Sequence, residues 1–148
     1  MLKEDYVINI TGRQFYEEDT GEVTLSTTGT YTIKGQARFI AYKEYDEDDP
    51  RVSHMAVLKV EPGKVTMMRG GSATRLILEQ GRRHLCMYDT GFGSLTVGVF
   101  ASELNAELGR EGGSLEIKYT LDIDSNLSSQ NELRVEVSPL PQPLEFGE

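Results

Sequence analysis

Three side chains with useful chemistry fall on alternate residues of one short segment: His84, Cys86 and Tyr88. Alternate residues of a strand face the same way, so these three share a face, and Leu85 and Met87 share the other. Turned inward, they form a polar cluster whose imidazole can orient a ligand or move a proton near neutral pH. Turned outward, His84 is solvated over a Leu85/Met87 core. Isolated histidines are mostly structural, so the outward reading is favoured. Arg75, Arg82 and Arg83 fall in or beside adjacent strands. Arg75 with Tyr119 is the pair suited to a carboxylate, because a guanidinium donates through two parallel N–H groups. The competing reading, an exposed Arg75 paired with one of the 24 acidic residues, is favoured. His84, Tyr88, Arg75 and Tyr119 are therefore the candidate ligand contacts. An enzyme centred on His84 with Tyr88 or Asp89 lacks a recognisable nucleophile–base pair, and no residue is assigned a catalytic role. Two histidines and one cysteine at these spacings make no metal-ligand set. A haem on His84 finds no second supporting residue, and no cofactor is expected.

Other spellings fail on context. Asp19-Thr20-Gly21 and Asp89-Thr90-Gly91 both match the aspartic-protease triplet. A dyad needs apolar residues before each Asp and a small hydroxyl residue after each Gly, but Glu17-Glu18 precede the first copy and Phe92 follows the second. Both are turns that use Asp and Gly for their backbone preferences. Asp122-Ile123-Asp124-Ser125-Asn126 begins like a calcium loop, yet Leu127 stands where a Gly is required and Leu133 where a bidentate Glu is required. Gly91-Phe92-Gly93 lacks the third glycine and the helix of a dinucleotide fingerprint. The sequons at Asn9 and Asn126 matter only after export.

The elements that would carry these side chains are strands. From Gly113 the chain alternates strictly, with Leu115, Ile117, Tyr119, Leu121 and Ile123 apolar and the residues between them polar. Leu95, Val97 and Val99 alternate in the same way. Such a period of two gives a strand one dry face and one wet face. Further strand segments are expected at 6–13, 22–28, 30–34, 37–42, 55–60, 65–69, 74–78, 83–88, 103–108 and 132–137, with Gly29 ending one of them. Residues 101–108 also carry helix signals, namely Ser102 as an N-cap and Leu104 four residues before Leu108. The short hairpins on either side favour a strand there. Many short strands with turns between them predict an all-β antiparallel barrel of eight to ten strands over residues 5–137, since closure removes exposed edges. Leu95, Val97, Val99, Leu115, Ile117, Tyr119, Leu121 and Ile123 are expected inside. The acidic loop around Glu44–Pro50 is expected outside. Ser138-Pro139-Leu140-Pro141-Gln142-Pro143 begins a tail over 138–148, because alternate prolines remove backbone donors.

Bulk composition bounds the partners. The 148 residues suit one domain with its own core. A formal net charge of −9 repels phosphate backbones, so no nucleic acid is expected. Nothing approaches the roughly 18 apolar residues of a membrane helix. The charged start Met-Leu-Lys-Glu-Asp-Tyr is unlike an export signal, and Cys86 is the only cysteine. Both agree with the cytoplasm.

Several blocks together resemble a known family. Arg83-His84-Leu85, Tyr88-Asp89-Thr90-Gly91-Phe92-Gly93-Ser94-Leu95, Gly98-Val99 and Gly112 through Asp124 are similar to the YwiB-like proteins. These are small bacterial β-barrel proteins of unknown function, grouped with the lipocalin-like calycins. The resemblance spans residues 5–137 and is strongest over 82–124. It implies a calycin-like barrel and a cytoplasmic bacterial protein, and it supplies no activity or site residues. A barrel of this size holds side chains or one small ligand, so a binding module for a small, mostly apolar molecule, with or without a carboxylate, is the first expectation. The alternative is a structural protein acting through its surface, with Leu140, Leu144 and Phe146 of the tail packing on the barrel or on a second copy as a homodimer.

Overall fold

The computed structural model describes residues 5–45, 48–71, 74–89, 92–123 and 126–141. Ten strands follow in chain order: β1 (Tyr6–Phe15), β2 (Thr20–Lys34), β3 (Ala37–Tyr45), β4 (Ser53–Glu61), β5 (Lys64–Arg69), β6 (Arg75–Glu79), β7 (Arg83–Asp89), β8 (Ser94–Gly109), β9 (Gly112–Ile123) and β10 (Asn126–Pro139). Each pairs antiparallel with its chain neighbours, and β1 pairs with β10 to close the barrel. The fold is the expected all-β, calycin-like barrel. No helix among the described residues is long and apolar enough to cross a membrane.

Alternation sets the interior. Ile8, Ile40, Leu58, Leu78, Val99 and Leu115 are almost completely buried. Full burial of each such side chain contributes about 1.5–3 kcal/mol. Of the eight residues expected inside, Val97, Val99, Leu115 and Ile117 are buried, and Tyr119 and Leu121 pack half-buried against the core. Leu95 and Ile123 are corrections, at 41% and 40% exposed. Leu95 is the second residue of β8 and Ile123 the last of β9, so the alternation runs on past the packed layer.

Two expected breaks are absent. Gly29 lies inside a continuous β2, where a Cβ would overlap the Ala41 carbonyl oxygen and the Ile8 side chain. It is a close-approach glycine rather than a turn. Residues 101–108 continue β8 as a strand, with a register shift between Ala101 and Glu103. Leu104 and Leu108, four apart, lie on one face of a strand as they would on a helix.

The wall is uneven. β6 and β7 share one register pair, Arg75 with Met87. Beside it, the Ile77 N–H donates to Cys86 Sγ at 3.3 Å, so a side chain occupies a rung of the ladder. β2 pairs with β3 only from Gly29 onward, so among the described residues Thr20–Thr28 is held by β1 alone. Val23 and Leu25, opposite Gly12 and Ile10 on the inward face, are 71% and 36% exposed there. The barrel is therefore open on one side near this end. β10 continues past the expected boundary at 137, with Ser138 opposite Val7 and Pro139 opposite Tyr6, and Leu140 N–H donating to Asp5 O at 2.7 Å. Leu144 and Phe146 lie outside the described residues.

Candidate functional site

The open side leads into an internal cavity of about 340 Å³. Its deep wall is apolar, with Leu58 from β4, Met67 from β5, and Leu133 and Val135 from β10. Above that layer comes a polar one. Tyr119 and Asn131 are direct partners across the β9–β10 ladder, and Tyr42 of β3 also faces the cavity. Nearer the rim come Glu44 and Arg69, then Arg13 and Glu22.

Asn131 is 3% exposed. Its Nδ2 donates to the hydroxyl of Ser129 at 3.0 Å, and its Oδ1 has no hydrogen-bond partner among the described residues. A buried amide oxygen left so costs about 1–3 kcal/mol, and native interiors hold few of them. Burial pushes the Tyr42 phenol up to about 12, with Glu44 adding to the rise and Arg69 opposing it. Burial likewise pushes Tyr119 up to about 12, against Arg69 and with small additions from Tyr88 and Tyr16. Both phenols therefore keep their protons through the physiological range and can donate or accept. Arg69 Nε lies 3.0 Å from Glu44 Oε1, so this guanidinium of the cavity lining already has a carboxylate partner.

A larger hollow of about 700 Å³ lies at the opposite end, between the β2–β3 turn, the β4–β5 turn and Leu104–Leu108. It is a groove open to solvent. Of its lining side chains Arg38 is engaged, with Nε donating to Leu108 O at 3.2 Å and Nη1 to Gly35 O at 3.3 Å. The smaller cavity has the enclosed apolar wall and the unmet acceptor, and it is the candidate site.

The four residues singled out from the sequence fall in different places. Tyr119 lines the cavity. Tyr88 packs against the core and acts on Tyr119 electrostatically. Arg75 is exposed on the outer face, and the arginine beside Tyr119 is Arg69. His84 corrects the favoured outward reading. It shares the inward face with buried Cys86, while Leu85 and Met87 point outward at 68% and 44% exposed. Apolar residues are common on surfaces, so a Leu/Met pair does not by itself mark the dry face. His84 Nε2 lies 2.9 Å from Glu79 Oε1, and this bond is the main cause that holds the Glu79 carboxyl below its usual range. The pair sits outside the cavity lining. No group of three or more His, Cys, Asp or Glu side chains placed to hold a metal occurs among the described residues.

Asn131, Tyr42, Glu44 and Arg69 were not anticipated. The signal for Asn131 lay in phase: Val137, Val135, Leu133, Asn131 and Ser129 fall on one face of β10, with polar residues where the pattern demands apolar ones. Ile40, Tyr42 and Glu44 run the same way along β3.

Comparison with known proteins agrees with the fold. The model of a domain of unknown function, DUF1934, matches residues 8–135. The crystal structure of the ywiB protein from Bacillus subtilis aligns with a TM-score of 0.80 at 17% sequence identity, covering 95% of this chain and 96% of that one. At that identity the likeness establishes the shared barrel. No curated protein matches the chain.

Proposed function

The chain belongs to the DUF1934 family, and we propose that it binds one small, mostly apolar molecule inside its barrel. The observation that carries this reading is Asn131, a buried residue on the lining of an apolar-walled cavity of about 340 Å³ whose amide oxygen has no hydrogen-bond partner among the described residues. Ligand sites are typically concave spaces of about 300–1,000 Å³ with a few placed polar groups on apolar walls. Water alone would leave the half-buried Met67 and Leu133 hydrated, at about 25 cal/mol per Å² of apolar surface. The open stretch beside β2 supplies access for the ligand. The same reading takes the protein to work in a reducing compartment such as the cytoplasm, supported by its single cysteine. The net charge of −9 supports a protein that leaves nucleic acid alone.

Native mass spectrometry of the protein purified from its own host tests this reading. The expected spectrum shows a fraction carrying one small-molecule adduct, which is lost when Leu133→Trp fills the cavity. A spectrum with no adduct, together with no saturable uptake of any added apolar probe, would overturn it.

A further inference from the structure

The chemistry around Asn131 specifies the ligand further, on the premise that the cavity is a ligand site. We infer that the bound molecule is uncharged and carries a hydroxyl head group, which donates to Asn131 Oδ1 and accepts from the Tyr119 or Tyr42 phenol, while its apolar body lies against Met67 and Leu133.

Charge is the first argument. The lining contains two arginines, Arg13 and Arg69, and three glutamates, Glu22, Glu44 and Glu132. Both arginines are already paired, Arg69 with Glu44 and Arg13 with Glu22, each at 3.0 Å. A carboxylate entering the polar layer would meet a guanidinium whose charge is balanced, and would bring a second anion beside Glu44. An anion so placed loses its hydration without a new counter-charge. This removes the carboxylate from the range of ligands expected from the sequence. An ammonium fares no better, because it would enter beside Arg69, whose guanidinium lines the same cavity.

Hydrogen-bond inventory is the second argument. Asn131 is 3% exposed, and its Oδ1 has no hydrogen-bond partner among the described residues. Neither the Tyr42 nor the Tyr119 hydroxyl bonds another described side chain, and both stay protonated. One hydroxyl both donates and accepts, so it satisfies the amide and a phenol together. Register places the head correctly for this. Asn131 lies between the deep pair Leu133/Ile117 and the strand end, so the polar layer sits above the apolar floor and below the charged rim.

The test is a matched series of single-chain probes, 1-octanol, octanoate and octylammonium at neutral pH, with toluene as a probe lacking a head group. Each is titrated into the intact protein and followed by the methyl and amide resonances of the cavity walls. Octanol is expected to bind about tenfold tighter than either charged probe, one well-formed hydrogen bond to a buried group being the difference. Asn131→Leu should remove about that tenfold for octanol and leave toluene unchanged. Tyr119→Phe should weaken octanol alone, and it keeps the inference testable should the Asn131 variant fold poorly. Tighter binding of octanoate or octylammonium would overturn the hydroxyl assignment and leave the cavity reading standing. Failure of all four probes to saturate the cavity would overturn the cavity reading itself.

Discussion

At the scale of single residues, the interior of this barrel is a place of protonated phenols and one unmet amide. Seven tyrosines are present, and Tyr42 and Tyr119 are pushed from 10.0 to about 12 mainly by burial. In the unfolded chain both ionise near 10.0. The stability they contribute is therefore whole below that pH and is lost as pH rises through about 12. Titration of the phenolate absorbance should show a late phase at high pH, reduced by one equivalent in Tyr42→Phe and by one in Tyr119→Phe. A single phase centred at the ordinary tyrosine value would contradict the burial of both. Tyr119 was legible in the sequence because its phase within β9 is unbroken. Asn131 was not, because a polar residue looks like a strand end until the partner strand shows that β10 continues through it. His84 was misplaced because neither face of β7 is uniformly apolar, so alternation alone does not choose between them.

At the scale of elements, strand identity was legible and strand continuity was not. Ten strands appear where twelve shorter segments were expected, since β2 runs through Gly29 and β8 through Ser102. Glycine signals a turn when it supplies backbone freedom, and a close approach when a neighbour needs its missing Cβ. Only the three-dimensional partner separates the two. At Gly29 that partner is the Ala41 carbonyl. Gly29→Ala should cost about 1–3 kcal/mol in urea unfolding, because backbone has to shift to relieve the overlap. Gly12→Ala is the internal control. A Cβ there meets nothing within 4 Å, so its effect should stay within about 0.5 kcal/mol. Equal effects at the two positions would show that the contact with β3 does not set the need for glycine.

At the scale of the whole molecule, closure by β1 and β10 is what turns ten antiparallel strands into a container. The alternation and the many short strands with turns between them pointed to such a barrel before any contact was known. The lateral opening beside β2 depends on how far β3 follows β2, which is a property of pairing rather than of either sequence. The tail divides at the last described residues. Ser138 and Pro139 pair with β1 and the Leu140 N–H donates to Asp5 O, so ending the chain at Val137 should lower the melting temperature. A homodimer through Leu144 and Phe146 would appear as a halving of solution mass on truncation at Pro141.

The central claim is that the enclosed space receives the apolar body of a ligand, and intermolecular nuclear Overhauser effects measure this most directly. With isotope-labelled protein and unlabelled 1-octanol, cross-peaks are predicted from the alkyl protons to the side chains of Leu58, Met67, Leu133 and Val135, all on the cavity wall. Cross-peaks confined to the outward Leu85 and Met87, or none at a probe concentration that saturates the shift changes, would contradict the account.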